Sequence, residues 1–419
     1  MRVMVFEGSF TGHVYTHVRI LLSRLIELTD DVCVVVQRDA AQTDEFRFQL
    51  EHLSGRVQWE PCIPAPSASR MRTTLSRVSA LKQAIRRLGP DHVYVPTADG
   101  ISQMLTLTRL HDPRPFPDGV EAEAAIARGG FAYPSTSARA RINHFLSLRT
   151  AERSPWTYLH HLDVVAYDWI IRRGGPMARR SRLLPSPIEP SPEITCREAR
   201  RRMGLPESGR LVGCTGMING RKGIDLLLKA FARAKLSPDD RLLLMGRHAA
   251  PIRQQLKDDC AQLVGEGRII SIDRYVRVDE LETAMAALDL VCTPHNRPVG
   301  ISSIALRATA AGRPVLASDF GWNQAIVPSL GLGWTCHVQD TDQFAEALRR
   351  CLDLSGAWKL GEAGHRLVKF HAPSNFASVW TERLRERMGL SRDSICRWDW
   401  VLDGTRGGSS GGPDAGAGG

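Results

Sequence analysis

Long uninterrupted apolar runs are missing from this sequence of 419 residues. No run reaches the roughly 18 residues that a membrane-spanning helix needs, so we expect no transmembrane segment. The apolar run at the N-terminus is too short for a signal peptide and leads directly into a predicted strand, Val3–Phe6. We therefore expect a cytoplasmic globular protein of two or three domains, at about 150 residues per domain.

Paired cysteine motifs are also missing, although the chain has nine cysteines. An odd number without any CxxC spacing argues against a disulfide framework or a zinc cluster. Cys214 and Cys292 lie inside apolar runs, where cysteine acts as a small buried hydrophobic residue. The neighbours His111 and Asp112, and the pair His160 and His161, have no further ligands at helical or loop spacing. We predict no metal site.

The net charge of +10 is spread over both halves of the chain, which argues against a dedicated nucleic-acid domain and fits an anionic partner. A predicted helix at about 68–88 has apolar residues three and four positions apart, as any helix packed on a sheet does. No Asp or Glu occurs between Glu60 and Asp91. We hypothesise that this helix approaches an anionic surface, either a membrane leaflet or a polyanionic acceptor. Its cations are Arg70, Arg72, Arg77, Lys82, Arg86 and Arg87.

Short apolar runs alternate with helical patterns along both halves, which is typical of parallel α/β sheets. In the first half we predict strands at Val3–Phe6, Val32–Val36, His92–Val95 and Val164–Tyr167. In the second half we predict strands at Leu211–Cys214, Leu242–Met245, Ile269–Ile272, Leu290–Cys292 and Val315–Ala317.

Four prolines between residues 183 and 194 interrupt any periodicity and predict an interdomain linker. We place an acceptor-side domain at 1–184, the linker at 185–194 and a donor-binding domain at 195–370. A C-terminal helix near 374–388, within an extension at 371–403, is expected to return to the first domain. The glycine-rich residues 404–419 predict a flexible tail.

A glycine-rich loop, Gly216–Gly223, stands between a predicted strand and a predicted helix and contains Arg221 and Lys222. Glycines let the backbone approach a phosphate closely, two cations neutralise a diphosphate, and the helix N-terminus adds its dipole. The same pattern also fits a solvated basic turn before a helix, so two interpretations stay open for this loop.

A second small-residue loop, with Gly300, Ile301, Ser302 and Ser303, precedes a predicted helix at about 302–311. Its backbone N–H groups and hydroxyls would offer hydrogen bonds to an anion at the helix N-terminus. Ser302 is also placed to cap that helix, and the two roles are compatible.

With these motifs the C-terminal half resembles the retaining GT-B glycosyltransferases of the family-4 type, or glycosyl transferases group 1. The matching stretches, in the family's order and spacing, are GMINGRKGIDLLLKAF, RLLLMGR, DLVCTP and GISSIALRATAAGRPVLASD, within about residues 211–350. The first half matches weakly, through GSFTGH and PDHVYVPTADG. The resemblance implies an α/β protein of the GT-B fold, with two Rossmann-like doubly wound parallel-sheet domains facing a cleft.

The resemblance also implies roles for residues of the donor domain. Arg221 and Lys222 match the basic pair that holds the donor diphosphate. Gly300, Ile301, Ser302 and Ser303 match the loop whose amides contact phosphate.

On the acceptor side, Gly12 and His13 match a loop near the acceptor and the distal phosphate. The match implies that Gly12 contacts the donor and that His13 is catalytic together with Asp99. Asp99 stands where such enzymes place a polar residue facing the acceptor. It would position or deprotonate the acceptor hydroxyl, and an alternative role is to cap the helix that follows.

One departure from the family concerns two glutamates eight positions apart, which contact the transferred sugar and the ribose. Here Val299 and Arg307 occupy these positions, and no Asp or Glu occurs between Asp289 and Asp319. A guanidinium cannot accept hydrogen bonds from ribose hydroxyls. We therefore expect Arg307 to pair with donor phosphate, or else to cover the helix surface.

The resemblance implies a metal-independent, retaining hexosyltransferase without a cofactor, which transfers a sugar from a nucleotide sugar to an acceptor hydroxyl. The acceptor would be a glycan, a lipid or a small molecule. From the charge pattern described above, rather than from the resemblance, we expect peripheral membrane contact and no nucleic-acid partner. The alternative is a catalytically silent GT-B protein that binds a nucleotide, glycan or partner, which the missing glutamates favour.

Overall fold

A computed structural model describes residues 1–9, 14–108, 114–127, 129–133, 137–296 and 300–398. The chain forms two compact units. Unit 1 comprises Met1–Pro187 and His371–Ile395, and unit 2 comprises Ile188–Phe370 and the described residues from Cys396 onward. The chain thus passes into unit 2 within the proline-rich segment 185–194. The predicted tail at 404–419 lies outside the described residues.

Unit 1 is built on a seven-stranded sheet in the order β3-β2-β1-β4-β5-β6-β7, with each neighbouring pair parallel. The central strands are buried on both faces, which explains their continuous apolar sequences. The strands are β1 (Val3–Phe6), β2 (Val32–Gln37), β3 (Gln58–Ile63), β4 (His92–Val95), β5 (Glu121–Ile126), β6 (Tyr158–His161) and β7 (Ser181–Leu183).

Helices stand between successive strands along the chain, as the crossover connections of a parallel sheet require. The described helices of this part are α1 (Val14–Leu28), α2 (Asp44–Gln49), α3 (Arg70–Leu88), α4 (Asp99–Leu107), α5 (Ala138–Glu152), α6 (Val164–Arg173) and α7 (Gly175–Arg180). The predicted helix at 68–88 is α3. It begins after Ser69, whose side chain caps the backbone N–H of Arg72, and ends at Gly89 in the left-handed conformation.

The predicted strand at Val164–Tyr167 is wrong, because these residues begin α6. Asp163 precedes them and accepts hydrogen bonds from the backbone N–H groups of Val165 and Ala166, which makes it a helix N-cap. The strand of this region is β6 (Tyr158–His161), which precedes the predicted strand. An apolar run of four residues fits a buried strand and a helix equally well, and the cap decides between them.

Three buried polar side chains on neighbouring strands of unit 1 form one hydrogen-bonded group. Glu123 on β5 accepts from His92 on β4 at 2.8 Å and from His160 on β6 at 2.5 Å. Despite burial, these hydrogen bonds lower the pKa of Glu123 to about 2. His161 points elsewhere and lies 3.0 Å from the Ser181 hydroxyl. Each histidine of the pair His160–His161 thus has a hydrogen-bond partner within the sheet.

Unit 2 is built on a six-stranded sheet in the order β10-β9-β8-β11-β12-β13, also parallel at each neighbouring pair. All five strands predicted here are present, within one residue at either end. The strands are β8 (Leu211–Thr215), β9 (Arg241–Met245), β10 (Ile269–Ile272), β11 (Leu290–Thr293), β12 (Val315–Ser318) and β13 (Gly333–Cys336).

The helices of unit 2 pack around this sheet. They are α8 (Cys196–Arg202), α9 (Ile224–Arg233), α10 (Ala250–Lys257), α11 (Ala261–Gly265), α12 (Val278–Ala287), α13 (Ser303–Ala310), α14 (Gly321–Ile326), α15 (Thr341–Ser355) and α16 (Glu362–Phe370). The predicted helix at 302–311 is α13.

The last helix, α17 (Pro373–Arg387), belongs to unit 1 and packs there against α1. Trp380 is fully buried and meets the ring of Tyr94 edge-on at 5.8 Å. Arg383 forms a two-pronged ion pair with Glu121 at 2.7 and 2.8 Å. The described core therefore joins the C-terminal helix to the middle of the first sheet. Two doubly wound parallel sheets confirm the predicted fold class.

Candidate functional site

The glycine-rich loop after β8 folds back so that its lysine reaches the end of its own strand. The Asn219 side chain accepts from the backbone N–H of Lys222 at 3.2 Å, which closes a short 3-10 turn. The Lys222 ammonium donates to the carbonyl of Thr215 at 2.9 Å. It also lies against Gly216, where a Cβ would be only 2.8 Å from Nζ. A positive charge is therefore held at the carboxyl end of β8.

Two cations share this loop. Burial, together with the charge of the adjacent Arg221, lowers the pKa of Lys222. Arg221 is exposed on the same turn. Because an anionic ligand would offset both the lost hydration and the repulsion, the pair is suited to a phosphate group.

The two loops predicted from the sequence meet in the structure. Gly223 has a φ of +69°, and a Cβ there would lie 1.7 Å from the carbonyl oxygen of Pro294. The Asn296 amide donates to the carbonyl of Gly220 at 2.6 Å. The loop after β8 is thus fastened to the loop after β11. Only glycine fits at this junction, because a side chain would collide with the second loop.

The start of α13 lies at the same place. A Cβ at Gly216 would be 3.7 Å from Cδ1 of Ile304 in the first turn of α13. Ser302 accepts from the backbone N–H of Ala305 at 3.3 Å, so its expected capping role is confirmed. Gly300, Ile301 and Ser303 flank this cap, and their contact with phosphate stays a prediction. Val299 lies outside the described residues.

The strand order explains why the loops converge. The chain runs outward from β8 through β9 to β10, and outward on the other side from β11 through β12 to β13. β8 and β11 are therefore the neighbours at which the direction of winding reverses. Open parallel sheets bind their ligands at the carboxyl ends of such a strand pair.

Two buried polar residues at this point were not predicted from the sequence. His295 follows β11 and is 6% exposed. Burial and the charges of Lys222 and Arg221 lower the pKa of His295 to about 3, so its imidazole is neutral at neutral pH. Asn323 on α14 lies 3.4 Å from His295 Nδ1 and donates to the carbonyl of Thr293 at 3.2 Å.

One polar atom of the Asn323 side chain forms no hydrogen bond with the described residues. This atom is Oδ1, which is buried. Buried acceptors are normally satisfied, which marks this one for a ligand or an ordered water. The position of His295 directly after an apolar strand could have identified it. No local signal could have identified Asn323, which is 28 residues further along the chain.

The structure does not support the predicted contact of Arg307 with donor phosphate, nor its alternative role on the helix surface. Arg307 is 3% exposed and forms an ion pair with Glu282 of α12, which is 2% exposed. Burial lowers the pKa of Arg307 to about 10, and the charge of Glu189 opposes this shift. The guanidinium remains charged and is neutralised inside unit 2.

Unit 1 has a second polar cluster at the carboxyl ends of its central strands. Glu7 follows β1, is 1% exposed, and accepts from the backbone N–H of Ser9 at 2.7 Å. Burial raises the pKa of Glu7 to about 8, while hydrogen bonds from Thr97 and Ser9 and the charge of Arg77 oppose the shift. At neutral pH this carboxyl is therefore largely protonated.

Side chains from two other elements surround Glu7. The Gln37 amide, at the end of β2, donates to the carbonyl of Gly8. Arg77 of α3 lies against Gly8, where a Cβ would be 2.9 Å from its Nε. Glu7 Oε2, Gln37 Oε1 and Arg77 Nε are all buried without a hydrogen-bond partner in the described part of the chain. Such a group is typical of a polar binding site.

Asp99 lies near this cluster, at the start of α4. Asp99 is the first residue of α4 rather than its N-cap. The N-cap position is held by Ala98, which provides no side-chain hydrogen bond. The Oδ2 atom of Asp99 accepts from the backbone N–H of Ala127, just after β5, at 3.4 Å. Asp99 thus sits at the carboxyl ends of β4 and β5. Gly12 and His13, predicted near the acceptor and the distal phosphate, lie outside the described residues.

No group of three or more His, Cys, Asp or Glu residues suited to a metal ion occurs in the described ranges. His111 and Asp112 lie outside those ranges. Within the same ranges no helix combines the length and hydropathy needed to cross a bilayer.

Comparison with known proteins identifies the domain that carries the two loops. Residues 209–354 match the sequence model of the family described as "Glycosyl transferases group 1". Residues 209–354 form a glycosyl transferases group 1 domain. The resemblance that the sequence motifs indicated is therefore confirmed, and it lies in unit 2.

One similar protein is D-inositol 3-phosphate glycosyltransferase of Corynebacterium urealyticum. The two are 31% identical over 169 residues, which are 39% of this chain and 39% of the relative. The similarity thus spans about two fifths of the length of either protein.

Solved structures resemble the chain over nearly its whole length. Sucrose-phosphate synthase from Thermosynechococcus elongatus aligns with a TM-score of 0.69 at 18% identity, over 93% of this chain and 100% of that one. Anabaena Alr3699/HepE, solved with UDP and glucose, aligns with a TM-score of 0.66 at 15% identity, over 92% of this chain and 100% of that one. These similarities confirm the GT-B fold.

Proposed function

We propose that the protein is a glycosyltransferase that binds a nucleotide sugar in unit 2 and transfers the sugar to an acceptor hydroxyl with retention of configuration. The observation that carries the proposal is the position of Lys222. Its ammonium is fastened to the end of β8, beside the loop after β11 and the start of α13. Supporting observations are the group 1 domain and the solved neighbour that holds UDP and glucose.

In this proposal the bond between the anomeric carbon and the diphosphate breaks, and the acceptor oxygen bonds to that carbon on the same face. Negative charge grows on the departing diphosphate. Arg221, Lys222 and the N–H groups of Gly300–Ser303 stabilise that charge in place of a metal ion. A fixed ammonium suits this role, because it requires no rearrangement as the charge develops.

The neutral imidazole of His295 belongs beside this charge. Because its pKa is about 3, the imidazole is neutral at neutral pH. It therefore does not repel the two cations, and it does not take the place of the phosphate beside them. We propose that it contacts the sugar or the diphosphate by hydrogen bonding, together with Asn323.

The acceptor belongs to unit 1 in this proposal, where Asp99 and Glu7 provide carboxyl groups at the ends of β4 and β1. Asp99 accepts the acceptor proton or positions the hydroxyl. Glu7, protonated at neutral pH, donates a hydrogen bond to another acceptor oxygen. The acceptor class is a polyhydroxylated molecule, as the name of the inositol phosphate relative suggests. We propose a cytoplasmic setting and no cofactor.

Nucleotide-sugar binding is tested first. The full chain is titrated by calorimetry with UDP, GDP and ADP and with the corresponding glucose and mannose conjugates. Saturable binding of one nucleotide family is expected, weakened in Lys222→Ala. Lys229→Ala, an exposed lysine on α9, serves as the charge-matched control. Absence of binding to every compound would contradict the proposal.

Transfer is tested with the nucleotide sugar that binds. Nucleotide release is followed with a panel of monosaccharide, inositol phosphate and lipid-linked acceptors, and the product anomer is assigned by NMR. An α product from an α-linked donor is expected. The expected absence of both family glutamates favours the alternative, a catalytically silent GT-B protein. Such a protein would bind the nucleotide sugar but release no nucleotide with any acceptor of the panel.

A further inference from the structure

An apolar stripe of α5 faces solvent rather than the core. Ile142, Phe145 and Leu146 are spaced by three and four residues and are 60%, 57% and 52% exposed. The opposite side of α5 already packs inward, through Leu148 and Ala151. The helix therefore has two apolar sides, and only one of them is needed for folding.

Helix α3 adds two further exposed apolar side chains, Met71 at 65% and Leu75 at 38%. Helix α4 lies between α3 and α5. Thr74 of α3 packs against Gly100 of α4, where a Cβ would be 3.3 Å from the Thr74 hydroxyl. Gln103 of α4 donates to Ser147 of α5 at 2.7 Å. The exposed apolar residues of α3 and α5 thus belong to one helical layer.

Cations accompany these residues and carboxylates do not. No Asp or Glu occurs between Glu123 and Glu152, just as none occurs between Glu60 and Asp91. Arg149 packs its guanidinium over the Phe145 ring at 5.5 Å. Four exposed arginines form no ion pair with any residue that the structure describes: Arg70, Arg72, Arg139 and Arg141.

The other cations of α3 have partners or positions of their own. Arg87 pairs with Glu60 at 2.6 Å, Lys82 lies 3.3 Å from the Thr108 hydroxyl, and Arg77 reaches inward to Gly8. Arg86 also has an interaction partner. Among the described residues, the cations of α3 that form no ion pair therefore lie in its N-terminal part, and α5 adds two more.

We propose that the α3–α5 face docks on the surface of an anionic lipid bilayer. This face comprises Met71, Leu75, Ile142, Phe145 and Leu146 with Arg70, Arg72, Arg139 and Arg141. Apolar side chains flanked by arginines enter the boundary between headgroups and acyl chains, while the guanidinium groups contact lipid phosphates. The inference goes beyond the proposed sugar transfer and does not depend on it.

The charge of the face selects this occupant over a second copy of the chain. A symmetric dimer through the face would bring four unpaired arginines of one copy against the same four of the other. Like charges pressed together in that way oppose association. An anionic bilayer offers negative charge to the arginines and an apolar layer to the exposed hydrophobic side chains of the face.

Co-sedimentation with vesicles tests the proposal on the full chain. Vesicles of phosphatidylcholine are compared with mixtures of increasing phosphatidylglycerol content, at low and high salt. Binding is expected to increase with phosphatidylglycerol and to fall with salt. Each arginine near an anionic surface contributes about a fivefold change in partitioning, so Arg139→Glu/Arg141→Glu should weaken binding by at least about 25-fold.

The apolar contribution is tested with Ile142→Ser/Phe145→Ser/Leu146→Ser, which should release the protein even from vesicles rich in phosphatidylglycerol. Matched controls come from exposed residues of unit 2 and the C-terminal segment. Lys257→Glu/Lys359→Glu makes the same charge change, and Val264→Ser/Leu354→Ser/Leu390→Ser makes the same apolar change. Both controls should bind like the unmodified protein. Circular dichroism establishes that each variant is folded.

Three results would overturn the proposal. They are no binding to any vesicle, binding that ignores phosphatidylglycerol, and equal losses in the α5 variants and their controls. Sedimentation velocity adds a fourth, a dimer in solution that the α5 serine variant dissociates, since the face would then be a self-interface. Calorimetric nucleotide affinity should be the same in every variant, so a failure here is distinct from a failure of the proposed transferase.

Discussion

Arg307 of α13 and Glu282 of α12 form an ion pair in the interior of unit 2, with 3% and 2% of their surfaces exposed. The resemblance of the sequence to group 1 glycosyltransferases predicted a glutamate at the position of this arginine. The neighbouring helix provides the carboxylate that the arginine requires. Because a buried charge is costly unless paired, the substitution at 307 and the carboxylate at 282 have to be explained together.

Removing either partner alone should destabilise the protein strongly. Arg307→Met leaves a buried, unpaired carboxylate, and Glu282→Met leaves a buried, unpaired guanidinium. Each should lower the free energy of unfolding by roughly 3–5 kcal/mol. The double variant should lose much less, because both charges disappear together. Urea denaturation of all four proteins gives the coupling energy, and additive losses would show that the two residues do not interact.

A glutamate at position 307 should by itself destabilise the protein. Arg307→Glu would place two buried carboxylates together, which repel and cannot both ionise. A lower melting temperature than that of Arg307→Met is expected. Arg307→Glu combined with Glu282→Met removes the repulsion and should recover most of the difference. If Arg307→Glu alone melts like the unmodified protein, Glu282 has no part in the environment of residue 307.

Lys222 should provide much of the affinity for a nucleoside diphosphate. Replacing its ammonium removes a charge-assisted contact with phosphate, which is worth roughly 1.5–3 kcal/mol, or about 10- to 150-fold in the dissociation constant. Calorimetry on Lys222→Ala measures this, with Lys229→Ala as control. Nucleosides without phosphate should bind both variants equally. An unchanged diphosphate affinity in Lys222→Ala would contradict the assignment of the donor site to the loop that contains Lys222.

Gly223 should tolerate no side chain. It has a φ of +69°, and a Cβ would stand 1.7 Å from the Pro294 carbonyl. The left-handed conformation costs a residue with a side chain about 1–2 kcal/mol, and the collision forces the two loops apart. Gly223→Ala should therefore lower both the melting temperature and diphosphate affinity. Gly265→Ala, which meets nothing within 4 Å, should leave both intact, and similar behaviour of the two variants would contradict this account.

Glu7 should make stability depend on pH in a defined direction. Its pKa is about 8 in the folded protein, against an ordinary value of 4.5. The unfolded chain therefore loses this proton first, and the stability that protonated Glu7 gives is complete below pH 4.5 and is lost as pH rises through 8. Glu7→Gln cannot ionise and should become more stable than the unmodified protein as pH increases.

Chemical denaturation of both proteins between pH 5 and pH 8 measures this effect, which should amount to a few kcal/mol. The exposed Glu51→Gln serves as the control and should show no such trend. A difference between Glu7→Gln and the unmodified protein that stays constant over this range would mean that Glu7 is already ionised in the folded state.

Transfer activity should survive chelation. Arg221 and Lys222 provide two positive charges at the predicted diphosphate position, so charge neutralisation needs no divalent ion. Initial rates are compared with EDTA, with added Mg²⁺ and with added Mn²⁺. Equal rates are expected within error. Complete loss in EDTA and recovery with Mn²⁺ would assign the neutralising charge to a metal.

Local patterns in the sequence determined much of the fold. β1, β4 and β10 lie where their apolar runs predicted, and α3 follows its spacing of three and four residues. The preference of a segment for a strand, a turn or a helix cap depends on residues close to it in the sequence. These features can therefore be predicted without the tertiary structure. The motifs also identified the loops that follow β8 and β11, with Arg221 and Lys222 in the first of them. That β8 and β11 are neighbours, so that the two loops converge, came from the tertiary structure.

Only the tertiary structure decided the pairing of residues that are distant in the sequence. Glu282 stands 25 positions before Arg307, and Asn323 stands 28 positions after His295. Nothing local in either segment indicates its partner. The same holds for the outward stripe of α5, since a periodic pattern gives the face of a helix but not the direction it points. Packing decides that direction, because it depends on which surface the rest of the fold leaves uncovered.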